Sequence, residues 1–295
     1  MSMYLSVTSN IMRTIYGSKA TYTLPQCIEA MKKAGYDRID VCLWSFCAPG
    51  KPMALDNWEE FVAEIVEATE KFDLPCYQTH GNVYSGMEWD DPDFEYHDLM
   101  LLTNLRAIRA TKALGGKWMV VHPKNLPRDP LYNKEKARDA NLAYLAPLIE
   151  EAKKVGVGLA VENMVDFGRS RRRYCGGDIY ELIDLVDTIN DPSVGICLDT
   201  GHANLASVAC GPAIREIGSR LKCTHINDNH GNGKDEHLFP YFGTVDWTDT
   251  VRALKEIGYE GDFSYESGSQ RIPPEGREAW LRYTVELGRN LMAIE

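Results

Sequence analysis

The sequence predicts a single (β/α)8 barrel, in which eight parallel strands close into a ring and a helix follows each strand. Three observations predict this fold. Short apolar runs alternate with longer stretches of helical periodicity, and the alternation repeats eight times along the chain. The units have nearly even length, which favours closure over an open doubly wound sheet. The 295 residues fit one barrel, so we predict one domain spanning 1–295.

The strands are predicted from runs that are rich in β-branched or apolar residues. Active sites of such barrels occupy the rim at the carboxyl ends of the strands, so residues at these ends are the candidates for chemistry. The runs predict strands near 3–8, 38–43, 75–79, 117–122, 158–162, 194–199, 222–227 and 261–266.

The helices are predicted from apolar periodicity together with start and stop signals. Asp56, followed three residues later by Glu59, predicts a capping pair, and Asp178 and Asp246 precede two further helices. Glycines at positions 35, 115, 156 and 258 stand where left-handed residues end helices. Helices are expected near 24–35, 56–72, 95–114, 134–154, 178–190, 205–219, 247–258 and 275–293.

Composition and charge limit the classes of function. With 44% hydrophobic and 25% charged residues, the chain has the composition of a soluble globular protein. No apolar stretch is long enough for a membrane span and the first ten residues lack a signal-peptide pattern, so we predict a cytoplasmic protein. The net charge of −11 disfavours nucleic acid as a partner. The eight cysteines contain no Cys-x-x-Cys pair and are expected to be unpaired and buried.

Four acidic or histidine side chains end four of the apolar runs and predict a metal site. Glu162 ends Gly-Leu-Ala-Val, Asp199 ends Val-Gly-Ile-Cys-Leu, His225 ends Leu-Lys-Cys-Thr, and Glu266 ends Asp-Phe-Ser-Tyr. Strand ends on one rim of a barrel can converge on a single ion, and carboxylates with imidazole are suitable ligands for a divalent metal.

The same residues suit proton transfer. Glu162 and Glu266 end strands that can face each other across the barrel, so they can serve as acid and base on opposite sides of a ligand. A divalent cation between them can polarise a ketone oxygen and stabilise an enediolate. His202 stands three residues after Asp199, just past Gly201, where its side chain can reach the same pocket.

The chain resembles the xylose-isomerase-like barrels, which include sugar and sugar-phosphate isomerases, ketose 3-epimerases and the endonuclease IV type of apurinic-site nuclease. The resemblance covers nearly the whole chain. Its most specific motifs are Val161-Glu162-Asn163, Leu198-Asp199-Thr200-Gly201-His202-Ala203-Asn204, His225-Ile226-Asn227-Asp228, the segment from His237 through Gly243 to Val245-Asp246-Trp247, and Tyr265-Glu266.

The resemblance implies a sugar or sugar-phosphate isomerase or epimerase of carbohydrate metabolism that acts through a metal-bound cis-enediolate. It implies one Mn²⁺, Mg²⁺, Co²⁺ or Zn²⁺ held by Glu162, Asp199, His225 and Glu266, with the two glutamates exchanging the proton. It also implies that His202 contacts substrate hydroxyls. Gly231 stands where the ketose 3-epimerases carry an arginine, which leaves the sugar unidentified.

Three alternatives stay open. An endonuclease IV-like phosphodiesterase acting on abasic DNA would hold three zinc ions, and the chain offers a residue for each of its nine ligands. An inosose-dehydratase-like lyase would use the same enediolate chemistry and release water. A sugar-binding barrel without catalysis is the third. The nine nuclease-type ligands would be His80, His122, Glu162, Asp199, His202, His225, Asp235, His237 and Glu266.

Further residues are candidates for contact with a sugar or polyol substrate. They include His80, His122 and His237, and also Trp44, whose ring could stack on sugar C–H groups. Arg173, in a run of arginines after the fifth strand, could bind a phosphate or carboxylate, or belong to a solvated charge run or a subunit contact. Exposed rim aromatics could instead form a homo-oligomer interface.

Overall fold

A computed structural model of the chain describes residues 3–13, 15–16, 19–20, 22–83, 96–125, 132–165, 175–268 and 272–295. The strands within these residues, in chain order, are β1 (Tyr4–Thr8), β2 (Ile15–Tyr16), β3 (Lys19–Ala20), β4 (Arg38–Cys42), β5 (Cys76–His80), β6 (Trp118–Val121), β7 (Gly158–Glu162), β8 (Val194–Asp199), β9 (Leu221–His225) and β10 (Asp262–Tyr265).

Helices cover the strands and lie mostly where the apolar periodicity predicts them. They are α1 (Asn10–Arg13), α2 (Leu24–Ala34), α3 (Trp58–Lys71), α4 (His97–Ala113), α5 (Lys134–Val155), α6 (Ile179–Ile189), α7 (Thr200–Leu205), α8 (Cys210–Ile217), α9 (Trp247–Glu256) and α10 (Pro274–Met292). Single 3-10 turns occur at Leu43–Phe46, Pro52–Ala54 and Gly218–Arg220.

Eight parallel strands form one sheet, in the order β10, β1, β4, β5, β6, β7, β8, β9. The two end strands are joined where Ile226, directly after β9, pairs with the carboxyl end of β10. The backbone N–H of Ile226 donates to the carbonyl of Ser264 at 2.7 Å, and the N–H of Glu266 donates to the carbonyl of Ile226 at 3.1 Å. The sheet thus joins into a barrel and confirms the predicted fold, with each predicted strand within two residues of an observed one.

The predicted capping residues are confirmed in part. Asp178 accepts a hydrogen bond from the N–H of Tyr180 at the start of α6, and Asp246 caps α9 in the same way. All four predicted stop glycines have positive φ, between 68° and 104°. The Asp56 and Glu59 capping pair is wrong, because α3 begins after Asn57, and Asp56 is exposed.

The predicted helix over 205–219 is confirmed only in part, because α8 spans Cys210–Ile217 and a separate helix, α7, spans Thr200–Leu205 before it. The Asp199 side chain accepts a hydrogen bond from the N–H of His202 and so starts α7 directly after β8. Ser207 has a φ of 60°, a left-handed conformation that separates α7 from α8. The short helix α1 and the antiparallel pair of β2 and β3 were not predicted from the sequence.

Two apolar clusters lie on the two sides of the barrel wall. The larger packs the outer faces of the strands against the helices, and the smaller fills part of the barrel interior with Trp118, Val120, Ala160, Cys197 and Cys223. All eight cysteines are free and buried, as predicted. None of the described helices combines the length and apolar character that a membrane crossing requires.

Candidate metal centre

Strand alternation places the four predicted ligands on the inner face of the barrel. Glu162, Asp199 and His225 each come two residues after a member of the interior apolar cluster, on β7, β8 and β9. Because side chains two residues apart in a strand point to the same face, these three lie one layer above that cluster, at the carboxyl rim. The strand register pairs Asp199 with His225, and Glu266 directly follows β10.

The four side chains converge on one point. Nδ1 of His225 lies 3.0 Å from Oε1 of Glu162 and 3.2 Å from Oε2 of Glu266. With a carboxylate oxygen of Asp199, one ligand atom from each of the four residues lies within 4.8 Å of the others. We call Glu162, Asp199, His225 and Glu266 the central group.

The donor set of the central group suits a divalent cation. Glu162 is 1% exposed, and Asp199 and His225 are fully buried. Oε2 of Glu266 is buried and has no hydrogen-bond partner within the part of the chain that the structure describes. Buried carboxylates that crowd together are costly unless a cation compensates them, and three carboxylates with one imidazole match Mn²⁺, Co²⁺, Zn²⁺ or Mg²⁺.

Hydrogen bonds fix Asp199 within this group. Its Oδ1 accepts from the N–H of His202 and its Oδ2 from Nδ2 of Asn227, both at 2.6 Å. Asn163 bonds the backbone of Asp199 on both sides, since its Oδ1 accepts from the N–H and its Nδ2 donates to the carbonyl. Gly201 is required nearby, because a Cβ there would lie 1.8 Å from Oδ1 of Asn227.

His80 and His122 bind the other side of Glu162. Their Nε2 atoms lie 3.2 Å and 3.1 Å from Oε2 of Glu162. The His80 ring stacks on His225 with ring centroids 5.3 Å apart. These two histidines and Glu162 form a second group whose ligand atoms lie within 4.8 Å of one another.

A third group consists of His202, Asp235 and His237. Oδ2 of Asp235 lies 3.4 Å from Nε2 of His202 and 3.0 Å from Nε2 of His237. Nδ1 of His202 contacts the carbonyl of Asn163 at 2.8 Å, and Nδ1 of His237 contacts that of Glu266 at 2.8 Å. Both histidines are therefore oriented by backbone carbonyls and direct Nε2 towards the same carboxylate.

Burial and proximity shift the acidities of the central group in different directions. Burial raises the pKa of Asp199 to about 7, and the nearby negative charge of Glu266 adds to this. Burial also opposes ionisation of Glu162 and Glu266, but His225 outweighs it. The pKa of Glu162 is therefore well below its usual value, and that of Glu266 is about 2. Burial lowers the pKa of His225, but nearby negative groups, including both glutamates, raise it well above its usual value.

Two predicted contact residues lie apart from these groups. Trp44 is half-buried in the 3-10 turn directly after β4, at the same rim. Arg173 lies outside the described residues. Asn163 and Asn227, which hold Asp199, were not among the predicted site residues, although each follows a predicted ligand by one or two positions. Asp40 was also missed; its signal is a charged residue inside the apolar run of β4.

Two known proteins are similar to this chain in sequence. An uncharacterised protein of Methanocaldococcus jannaschii is 31% identical over 182 residues, which are 60% of this chain and 59% of that protein. The L-ribulose 3-epimerase of a Methylomonas species is 25% identical over 252 residues, which are 84% of this chain and 79% of that enzyme. The chain thus spans less than two thirds of the first relative's length.

A solved structure has the same fold. The crystal structure of a D-tagatose 3-epimerase-like protein superposes with a TM-score of 0.74 at 20% identity, and covers 99% of this chain and 100% of that one. At this identity the likeness concerns the fold. A family model described as xylose isomerase-like TIM barrel matches residues 28–290. The chain therefore belongs to the xylose isomerase-like TIM barrel family.

Proposed function

We propose that the protein is a divalent-metal-dependent sugar isomerase or epimerase that moves a proton at a carbon beside a ketone. The observation that carries this proposal is the convergence of two glutamates, Glu162 and Glu266, within 3.0 and 3.2 Å of the same nitrogen of His225. The Methylomonas relative is an L-ribulose 3-epimerase, which supports the same class of reaction for this chain.

The central group would hold one Mn²⁺, Mg²⁺, Co²⁺ or Zn²⁺. Such an ion, when bound, polarises a substrate ketone and stabilises the negative charge that develops on its oxygen as the neighbouring carbon loses a proton. Asp199 and His225 would serve only as metal ligands. Glu162 and Glu266 would be ligands and proton-transfer groups, because Glu162 ends β7, Glu266 directly follows β10, and both carboxylates lie close to the same nitrogen of His225.

Proton transfer would use the two glutamates in turn. One ionised glutamate would accept the proton from the carbon and return it on the same side, or the opposite glutamate, in its protonated form, would deliver its own proton to the other face, which inverts the configuration and exchanges the protonation states of the two glutamates. Histidines hold the pKa values of both carboxylates below the usual range despite burial, so either glutamate can act as the base.

The remaining predicted residues would orient the sugar. His80, His122, His202 and His237 surround the central group, and their ring nitrogens can exchange hydrogen bonds with hydroxyls. Trp44 would offer an apolar surface at the rim. Arg173 would bind a phosphate or carboxylate of the substrate, a role that we propose from the sequence alone.

The test of this function is proton exchange with solvent. Protein purified without chelator would be analysed for metal by elemental mass spectrometry, and ketoses would be screened in D2O for deuterium uptake and for epimer formation. Glu162→Gln and Glu266→Gln should each lower turnover by about 10²- to 10⁴-fold, the usual contribution of a general acid or base.

A matched control is Glu256→Gln, which changes an exposed glutamate paired with Arg215 on the barrel exterior and should leave turnover unchanged. If both glutamate variants of the central group turn over a confirmed substrate at the wild-type rate, the proposed mechanism is wrong.

A second candidate function has one specific observation in its favour. The nine residues that an endonuclease IV-like phosphodiesterase would need all belong to four partly overlapping groups of described residues that could each hold an ion, and two of these groups share Glu162. About three zinc ions per chain together with nicking of an abasic duplex would favour this candidate. About one ion per chain with proton exchange on a ketose would favour the isomerase.

A further inference from the structure

Asp40 is a buried carboxylate that the proposed function leaves without a role. It lies on β4, is fully buried, and pairs in register with Gln78 of β5. Strand alternation places it on the inner face of the barrel, one layer below the central group. A charged side chain in this position is costly unless a partner compensates its charge.

The contacts of Asp40 converge on one oxygen. Its Oδ2 accepts hydrogen bonds from Nε2 of Gln78 at 2.7 Å and from Oγ of Ser264 at 3.2 Å, and it lies 3.4 Å from Nε2 of His225. Among the described residues, His225 is the one basic group that forms an ion pair with Asp40. The nearest arginine along the strand, Arg38, pairs with Asp262 instead.

Two buried atoms at this contact lack hydrogen-bond partners. They are Nε2 of His225 and Oδ1 of Asp40, within the part of the molecule that the structure describes. Buried polar atoms in folded proteins are nearly always satisfied. A small rotation of the Asp40 carboxylate would satisfy both atoms with one hydrogen bond, provided that His225 carries a proton on Nε2.

His225 thus has two differently occupied sides. Its Nδ1 faces Glu162 and Glu266 in the central group, and its Nε2 faces Asp40. A histidine that binds a metal through one nitrogen generally donates the other N–H to a carboxylate, carbonyl or water, which fixes the tautomer and increases the basicity of the ligand.

We propose that Asp40 is a positioning residue for the metal centre. It accepts the Nε2–H of His225 and so directs the lone pair of Nδ1 towards the ion. This inference rests on the proposed function, since it requires that the central group binds a metal. The metal centre thereby gains a residue from β4. In this role Asp40 would touch neither the ion nor the substrate.

The first experiment measures Mn²⁺ affinity of the full chain, from the free-ion signal in electron paramagnetic resonance. Asp40→Asn keeps the size of the side chain and one acceptor oxygen but removes the charge, and should weaken Mn²⁺ binding about 10- to 100-fold. Asp262→Asn is the matched control, because it makes the same change at another buried interior aspartate that pairs with Arg38 and with no central-group residue. The control should bind Mn²⁺ within about twofold of wild type.

The outcomes separate the inference from the proposed function. Unchanged affinity in Asp40→Asn, or equal losses in both variants, would overturn the role of Asp40 while wild-type binding still supports the metal centre. A wild-type chain that binds neither Mn²⁺ nor Zn²⁺ would overturn both.

A second measurement needs no Asp40 variant. In the zinc-loaded wild-type protein labelled with ¹⁵N-histidine, nuclear magnetic resonance distinguishes which ring nitrogen carries the proton, and His225→Gln assigns the signal. We expect the proton on Nε2. A proton on Nδ1, with the ion on Nε2, would overturn the inference even if Asp40→Asn failed to fold.

Discussion

Without a metal, His225 in the central group holds a proton that it must lose to become a ligand. His225 has a pKa well above its usual value, because nearby negative groups outweigh the effect of burial. Metal ligands must be deprotonated, so an ion that binds Nδ1 of His225 displaces a proton. Metal affinity and pH are therefore coupled through this residue.

This coupling gives a prediction for the pH dependence of binding. Between pH 7 and pH 8, the Mn²⁺ dissociation constant should fall about tenfold per pH unit, the slope for one displaced proton. Below pH 7 the slope should steepen, because the pKa of Asp199 is about 7 and its carboxyl then also loses a proton on binding.

Titration of Mn²⁺ binding across this range in two buffers of different ionisation enthalpy checks both the affinity and the number of protons released. His230→Gln, which changes an exposed histidine paired with Glu236, should leave the slope as in wild type. Affinity that is independent of pH would contradict the assignment of His225 as a ligand.

At the level of elements, helix α7 transmits backbone geometry to the metal centre. Gly201 packs against Asn227, whose side chain donates to Asp199. Gly201→Ala would place a methyl group where Oδ1 of Asn227 lies, so this side chain must leave Asp199. We expect about tenfold weaker Mn²⁺ binding, as is usual when a residue that orients a ligand is lost.

Calorimetric titration with Mn²⁺ measures this effect. Gly276→Ala, in the first turn of α10, is the control, because its new methyl group would meet only Cγ2 of Ile272 at 3.3 Å. Wild-type affinity in Gly201→Ala would mean that Asn227 does not position Asp199.

The turn between α6 and β8 offers a test of stability against pH. Oδ1 of Asp191 accepts from the N–H and the Oγ of Ser193, and its Oδ2 accepts from Nζ of Lys153 at 2.7 Å. The Lys153 hydrogen bond, with those of Ser193, lowers the pKa of Asp191 to about 2. A carboxyl with a lowered folded-state pKa stabilises the fold above its unfolded value, near 4, and loses this contribution as the pH falls towards 2.

Asp191→Ala should therefore lower the free energy of unfolding by about 1 kcal/mol at pH 7, a value that allows for solvent screening of the exposed lysine. The difference from wild type should shrink between pH 5 and pH 3. Urea unfolding in the presence of chelator at these pH values measures it, and a difference that stays constant with pH would rule out the carboxylate as its source.

For the whole molecule, metal binding and folding should be linked. The four ligands come from β7, β8, β9 and the residue after β10, so they meet only in the closed barrel. At a free Mn²⁺ concentration of 100 times the dissociation constant, binding adds about 2.7 kcal/mol to stability. This should raise the melting temperature by several degrees. Calorimetry with and without chelator tests this, and Asp199→Asn should abolish the rise.

Local chemistry in the sequence predicts much of this fold. The strands follow from apolar runs, and the helix ends follow from glycines such as Gly35 and Gly156, whose left-handed conformation is a local property. The helix after β8 was misplaced because Gly201 weakens the helical pattern, while the cap that starts α7 comes from Asp199, a predicted ligand. Asp199 was predicted as a metal ligand and not as a helix cap.

The candidate site was predictable to the extent that it lies at strand ends. The four central residues were expected to converge because barrel strands share a rim, and the structure brings them together. The pairing of Asp40 with His225 could not be predicted, because it depends on the interior layer that two distant strands share. The roles of all these residues, and the extent of the domain, stay predictions.

The junction at Ile226 makes closure of the barrel and assembly of the metal centre depend on the same strand, β10. The hydrogen bonds that join β9 to β10 run through Ile226, between His225 on one side and Glu266 on the other. An ion bound by His225 and Glu266 would cross-link the two ends of the sheet at this junction. A nascent chain could acquire its ion only after its final strand had docked, so metal uptake during refolding would report the moment of ring closure.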